Sequence, residues 1–117
     1  MPKDNLIQQK SFDFSLLIIQ LYIDLQKERE YVISKQILRS GTSIGANIEE
    51  ALAGQSRRDF IHKLSISSKE ARETKYWLRL LQKSKLTKID VSTHLHEIQQ
   101  IVNILTSIIK TTQEKSK

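Results

Sequence analysis

The segment Ser34–Gly54, SKQILRSGTSIGANIEEALAG, constrains the fold more than any other part of the chain. Ile37, Leu38, Ile44, Ile48 and Leu52 recur in a helical rhythm, and small residues (Gly41, Thr42, Ser43, Gly45 and Ala46) sit between them. Gly41 and Gly45 are four apart, so on a helix they lie one above the other. Each glycine costs a helix interior about 1 kcal/mol relative to alanine. The return expected for that cost is close approach of a neighbouring helix. A loop at Ser40–Ser43 would split the segment instead. The apolar spacing keeps phase through the glycines, which predicts one continuous helix.

Punctuation is sparse elsewhere. The 117 residues hold one proline, Pro2, and three glycines, which favours long helices over a sheet. Hydrophobic residues make up 38% and fall almost wholly in periodic segments, so the chain is not disordered. One domain spanning residues 1–117, ordered over about 11–111, accommodates this length. Cysteine is absent, which excludes disulfides and thiolate metal sites. No basic-then-apolar leader is visible, and the apolar patch Leu16–Leu25 is interrupted by Gln20, Tyr22 and Asp24. A cytoplasmic protein with no membrane contact is therefore expected.

Four helices are predicted. Residues 1–9 read as a frayed tail. Ser11 reads as the N-cap of a helix to about Lys27, with one stripe of Phe12, Leu16, Ile19 and Ile23 beside another of Phe14, Leu17, Leu21 and Leu25. The second helix begins between Glu30 and Ser34 and ends at Gly54 in a left-handed C′ conformation. Ser56 caps the third, which runs to about Gln82. Phe60, Leu64, Ser67, Ala71, Thr74, Leu78 and Leu81 alternate spacings of four and three along it, the seam of a bundle helix. Its small centre suits the glycine face of the second helix. After a loop at Ser84–Ile89, Asp90 or Ser92 caps the fourth helix. Its stripe is Val91, Leu95, Ile98, Val102, Leu105 and Ile109, thickened by Ile101, Ile104 and Ile108. Thr112–Lys117 reads as a loose tail. Short connections make an all-α, antiparallel up-down-up-down four-helix bundle the expected architecture. The first, second and fourth helices are apolar over more of their surface than one core needs, so a homo-oligomer is expected.

The net charge of +6 has an address: Arg57–Lys85 holds nine Lys or Arg against three acids, and the remainder balances. A localised excess points to a polyanionic partner. Arg72, Lys75, Arg79 and Lys83 are spaced three, four and four, and Arg58 and Lys69 lie close to the same side. These six are the candidate nucleic-acid-binding residues. The competing reading is a solvated face neutralised by Glu70, Glu73 and acids of neighbouring helices. Tyr76 and Trp77 adjoin the stripe and can stack on unpaired bases, although packing suits Trp77 better.

Arg39, Asn47 and Glu50 can share one face of the second helix. With Glu73 they are read as a structural polar network, Arg39–Glu50–Glu73, that fixes helix register or a subunit contact. The alternative, a catalytic acid pair or metal site, has little support. Asp59-x-x-His62 lacks the second copy a ferritin-like dimetal site needs. Glu70-x-x-Glu73 has no second acidic pair downstream, and His94 and His96 point to different faces. No Gly-rich phosphate loop, nucleophile elbow or catalytic cysteine is present. No cofactor, metal site or enzymatic activity is expected.

The run QILRSGTSIGANIEEA, followed by SRRDFIHKLSISSKEARETKYWLRLL, resembles a bacterial family known as the four-helix bundle proteins, or large-subunit ribosomal RNA intervening-sequence proteins. The likeness covers about residues 11–110. Ser43–Ala51 matches the family's Ser-Ile-x-x-Asn-Ile-x-Glu core. Gln36-Ile37-Leu38-Arg39 matches its lead-in, and Glu73-Thr74 with Tyr76-Trp77-Leu78 matches its third-helix pattern. Ala51 departs from a frequent glycine. The resemblance implies a four-helix bundle assembling as a ring-like homopentamer. It also implies kinship with the accessory protein of diversity-generating retroelements, a basic pentameric barrel that engages a reverse transcriptase and nucleic acid. Most of the family has no assigned biochemical activity. Possible partners are therefore further copies of the chain, RNA or DNA, and a reverse transcriptase or other nucleoprotein. A protein–protein adaptor without direct nucleic-acid binding is the alternative.

Overall fold

The computed structural model describes the backbone of residues 2–115 and the side chains of residues 5–115. Four helices account for nearly all of it: α1 (Pro2–Lys27), α2 (Ile33–Leu52), α3 (Arg57–Ser84) and α4 (Ser92–Lys115). The close packings are α1 with α2, α2 with α3, α3 with α4 and α4 with α1. This closed cycle makes a rod of 49 × 21 × 21 Å. Among the described residues no helix is long and apolar enough to cross a membrane.

α1 begins well before the expected cap at Ser11. Ser11 lies inside the helix, 1% exposed, and its hydroxyl donates to the Gln8 carbonyl. A serine can return a hydrogen bond to its own helix as readily as cap one, and Ile7, 1% exposed, anchors the extra turns in the core. Residues 5–9 are thus no frayed tail, and Met1 lies outside the described residues. Thr112–Lys115 likewise continue α4, with the Thr112 hydroxyl bonded to Ile108 O; Ser116 and Lys117 lie outside the described residues.

α2 is continuous through both glycines. Its start is fixed by Glu30, whose carboxylate accepts from the backbone N–H groups of Val32, Ile33 and Ser34. Partial burial alone raises the Glu30 pKa, but these bonds and the Ser34 hydroxyl hold it below the ordinary carboxylate value. At the far end the helix stops without a left-handed glycine, since no glycine has positive φ and Ala53 closes the turn at φ −89°. Gly54 is small for another reason. A Cβ there would sit 2.7 Å from an Asp59 carboxylate oxygen and 2.9 Å from the Ala51 carbonyl.

Ser56 caps α3 as expected, accepting from the Asp59 N–H at 3.0 Å. The α3 seam is buried from Leu64 to Leu81, and Phe60 packs at its edge. Its small centre, however, does not meet the glycines. Ser67 donates to the Ile44 carbonyl at 2.8 Å, and Thr74 donates to the Ser40 hydroxyl at 2.8 Å. Ser40 and Ile44 lie one residue, about 100°, from Gly41 and Gly45 around the helix. The glycine face therefore turns to α1, where a Gly41 Cβ would lie 2.9 Å from Ile18 Cγ2.

The buried α4 line is Val91, His94, Ile98, Ile101, Leu105 and Ile108, with Leu95, Val102, Ile104 and Ile109 flanking it. Asp90 caps this helix through Ser92. On α1 the second expected stripe is the core one: Phe14, Leu21 and Leu25 are buried and Leu17 flanks them. The first stays outside, with Phe12 57%, Leu16 54%, Ile19 41% and Ile23 42% exposed.

Candidate nucleic-acid interface

The inward seam of α3 dictates its outward face. If Leu64, Ser67, Ala71, Thr74, Leu78 and Leu81 point in, the residues opposite them point to solvent. Arg58, His62, Lys69, Arg72, Tyr76, Arg79 and Lys83 are all exposed. From Lys69 onward their spacings are three, four, three and four, so five side chains form one line about 21 Å long.

Five of the six candidate basic residues lie on this face. Lys75 does not. It is only partly exposed and donates to Gln99 Oε1 of α4 at 2.6 Å, bracing α3 against α4. Tyr76, expected only to adjoin the stripe, takes the central place expected for Lys75 and is 53% exposed. The exchange was legible in the alternation of the seam, which puts residue 76 rather than 75 opposite Thr74 and Leu78.

The acids that would neutralise the stripe are committed elsewhere. Arg39 of α2 pairs with Glu73 and, at 3.3 Å, with Glu70. Glu73 also accepts from the Trp77 indole N–H at 2.9 Å. Among the described residues, no ion pair involves Lys69, Arg72, Arg79 or Lys83. Four cations thus share one face with no carboxylate within 4 Å, a geometry that attracts phosphate.

The expected Arg39–Asn47–Glu50–Glu73 network is realised only in part. Arg39 joins Glu73, with Glu70 as its second acid. Asn47 bonds instead to its own helix, at Ser43 O, and Glu50 pairs with Lys63 at 3.2 Å. The reason is axial and not angular: Glu50 shares the Arg39 face but lies eleven residues on, about 16 Å along the helix and out of reach. The Arg39 side chain is half-exposed, so the bridge staples α2 to α3 at the surface.

Two other features bear on function. Among the described residues no cluster of three or more metal-ligating side chains occurs. His94 is buried with its Nδ1 unpartnered, and burial pushes its pKa below the ordinary 6.5 although Asp90 pulls the other way. His94 stands at spacings of four, three, four and three with Ile98, Ile101, Leu105 and Ile108, a signal of burial that the expected stripe through Leu95 and Val102 passed over.

The comparisons agree with this architecture. A family model described as 23S rRNA-intervening sequence protein matches residues 3–107. A crystal structure from Bacteroides thetaiotaomicron, described as a protein of unknown function from the S23 ribosomal protein family, is 50% identical. It superposes with a TM-score of 0.88, covering 92% of this chain and 98% of that one. No curated protein matches the chain. With four helices in place and the family model reaching from α1 into α4, the chain belongs to the 23S rRNA-intervening sequence protein family.

Proposed function

We propose that this chain is a non-enzymatic, homo-oligomeric helical bundle that binds nucleic acid, or a nucleoprotein such as a reverse transcriptase with its nucleic acid, through the outward face of α3. The observation that carries the reading is the stripe of Lys69, Arg72, Arg79 and Lys83, whose neighbouring acids are held by Arg39 and Trp77. Arg58 extends it toward the start of α3. An RNA-linked family description is consistent with such a partner. Short connections and the cyclic packing order support an up-down-up-down course. The uncovered Phe12, Leu16, Ile19 and Ile23 support self-assembly, and the family resemblance makes a ring of five the expected form. Five copies at +6 each would carry +30, a strong field for a polyanion in the cytoplasm.

The test is equilibrium binding to labelled RNA and DNA across a salt series, with oligomer size followed by light scattering. Replacing Arg72, Arg79 and Lys83 together by alanine should abolish binding near physiological salt while assembly is unchanged. Lys75→Ala should weaken binding far less. Full binding by the triple variant would overturn the proposal.

A second reading has its own observation. A groove of about 250 Å³ between α1 and α2, lined by Phe12, Ser15, Ile19, Gly45 and Ala46 among others, suits an adaptor that captures a protein partner. Salt-insensitive protein binding that Phe12→Asp removes would favour it.

A further inference from the structure

The centre of the α3 stripe is an aromatic ring and not a cation, and this sets the class of nucleic acid. Tyr76 is 53% exposed between Arg72 and Arg79. Its ring meets that of Trp77 with centroids 5.3 Å apart and planes crossing at 68°. In such an edge-to-face pair the neighbour covers no more than one face of Tyr76. Trp77 is itself held by Glu73 and packs against the core, so Tyr76 leans on a fixed support. Beside it lies a depression of about 140 Å³ lined by Tyr76, Arg79, Leu80 and Lys83. A flat aromatic wall, an aliphatic side chain and two cations at one spot match a nucleotide: the base against Tyr76 and Leu80, the phosphate toward Arg79 and Lys83.

We infer that this face binds single-stranded nucleic acid, with Tyr76 stacking on an unpaired base and Lys69, Arg72, Arg79 and Lys83 following the backbone. In a duplex both faces of each base are already stacked, so a solvent-facing tyrosine gains nothing from one. In a single strand a base face is free, and aromatic stacking adds to a cationic track without sequence preference. The cations extend about 21 Å, from Lys69 to Lys83, which fits a strand better than a free nucleotide. The inference rests on the phosphate-binding reading above and adds the strand class.

The experiment compares fluorescence anisotropy of a labelled oligothymidylate, an oligouridylate and a 20-base-pair duplex at one salt concentration, using the intact chain. We expect the single strands to bind at least about 5-fold tighter than the duplex. Tyr76→Ala should lose about 5- to 150-fold for the single strands, the range for one stacked base, and little for the duplex. Tyr76→Phe, which keeps the ring, should retain the wild-type preference. Circular dichroism melting confirms that the variants fold, as an exposed position should allow. Equal binding of strand and duplex, or wild-type single-strand binding by Tyr76→Ala, would overturn the inference and leave the phosphate-binding surface standing. Failure of every oligonucleotide to bind even at low salt would bring down both.

Discussion

Gly41 and Gly45 occupy equivalent places in α2, yet alanine should act on them in opposite directions. The backbone contribution is the same at both, because glycine to alanine in a helix interior gains about 1 kcal/mol. What differs is the space. A Cβ at Gly41 would lie 2.9 and 3.0 Å from Cγ2 and Cγ1 of Ile18, both inside ordinary carbon contact. Ile18 is 0% exposed, so its branched side chain would have to give way inside the core. Overpacking of this kind costs about 1–3 kcal/mol. At Gly45 the nearest atoms are Ser11 O and Ser15 Oγ, both at 3.4 Å, which is ordinary contact. We expect Gly45→Ala to be stabilising by about 0.5–1 kcal/mol and Gly41→Ala to be destabilising by about 1 kcal/mol, a separation of roughly 2 kcal/mol. Urea unfolding at several protein concentrations measures both, so that any contribution from assembly is removed. Ile18→Ala takes away both clashing carbons. In that background Gly41→Ala should become stabilising, giving a coupling energy of more than about 1 kcal/mol. Equal effects of the two alanines, or no coupling to Ile18, would refute the assignment of the glycine face to α1.

Further outcomes follow from the polar groups. His94→Leu should raise stability by about 1 kcal/mol, since it removes a buried nitrogen with no partner. The depressed His94 pKa means the unfolded chain binds the proton more tightly. Stability from this site is therefore full above the ordinary 6.5 and falls as pH drops toward the folded value, and urea midpoints of His94→Leu should lose that part of the pH dependence. Glu30→Gln should cost about 1 kcal/mol at neutral pH by weakening the α2 start. The folded pKa of Glu30 lies below the ordinary 4.5, so its contribution is present above that value and lost as pH falls through the folded pKa, where variant and wild type should converge. Arg39→Ala should cost less than about 1 kcal/mol in thermal melts, because the bridge is half-exposed.

Much of this was legible in the chain. The α3 seam could be read residue by residue because its alternation of four and three has one helical solution, and Ser56 could be read as a cap because Gly54 precedes it and Asp59 stands three residues on in the first turn. Three things were hidden by geometry that single spacings do not resolve. Ser11 has the chemistry of a cap and of a helix-interior hydroxyl alike, and only Ile7 packing in the core decides between them. Gly41 and Ser40 differ by one residue, so which meets α1 and which meets α3 depends on how α2 is rotated. On α1 two apolar stripes compete for one core, and the periodicity of either is sufficient. The candidate site suffered the same ambiguity on a smaller scale. Counting cations alone selects Lys75, whereas the rotation set by Thr74 and Leu78 selects Tyr76.

The measurement that bears most directly on the α3 face is lysine acetylation mapped by mass spectrometry, with and without a saturating single-stranded oligonucleotide. Lys69 and Lys83 lie on the stripe, while the exposed Lys27, Lys35 and Lys110 on α1, α2 and α4 serve as controls. We expect Lys69 and Lys83 to become protected while the three controls react as before. Protection of the controls with Lys69 and Lys83 left reactive would contradict the assignment and place the partner on another face.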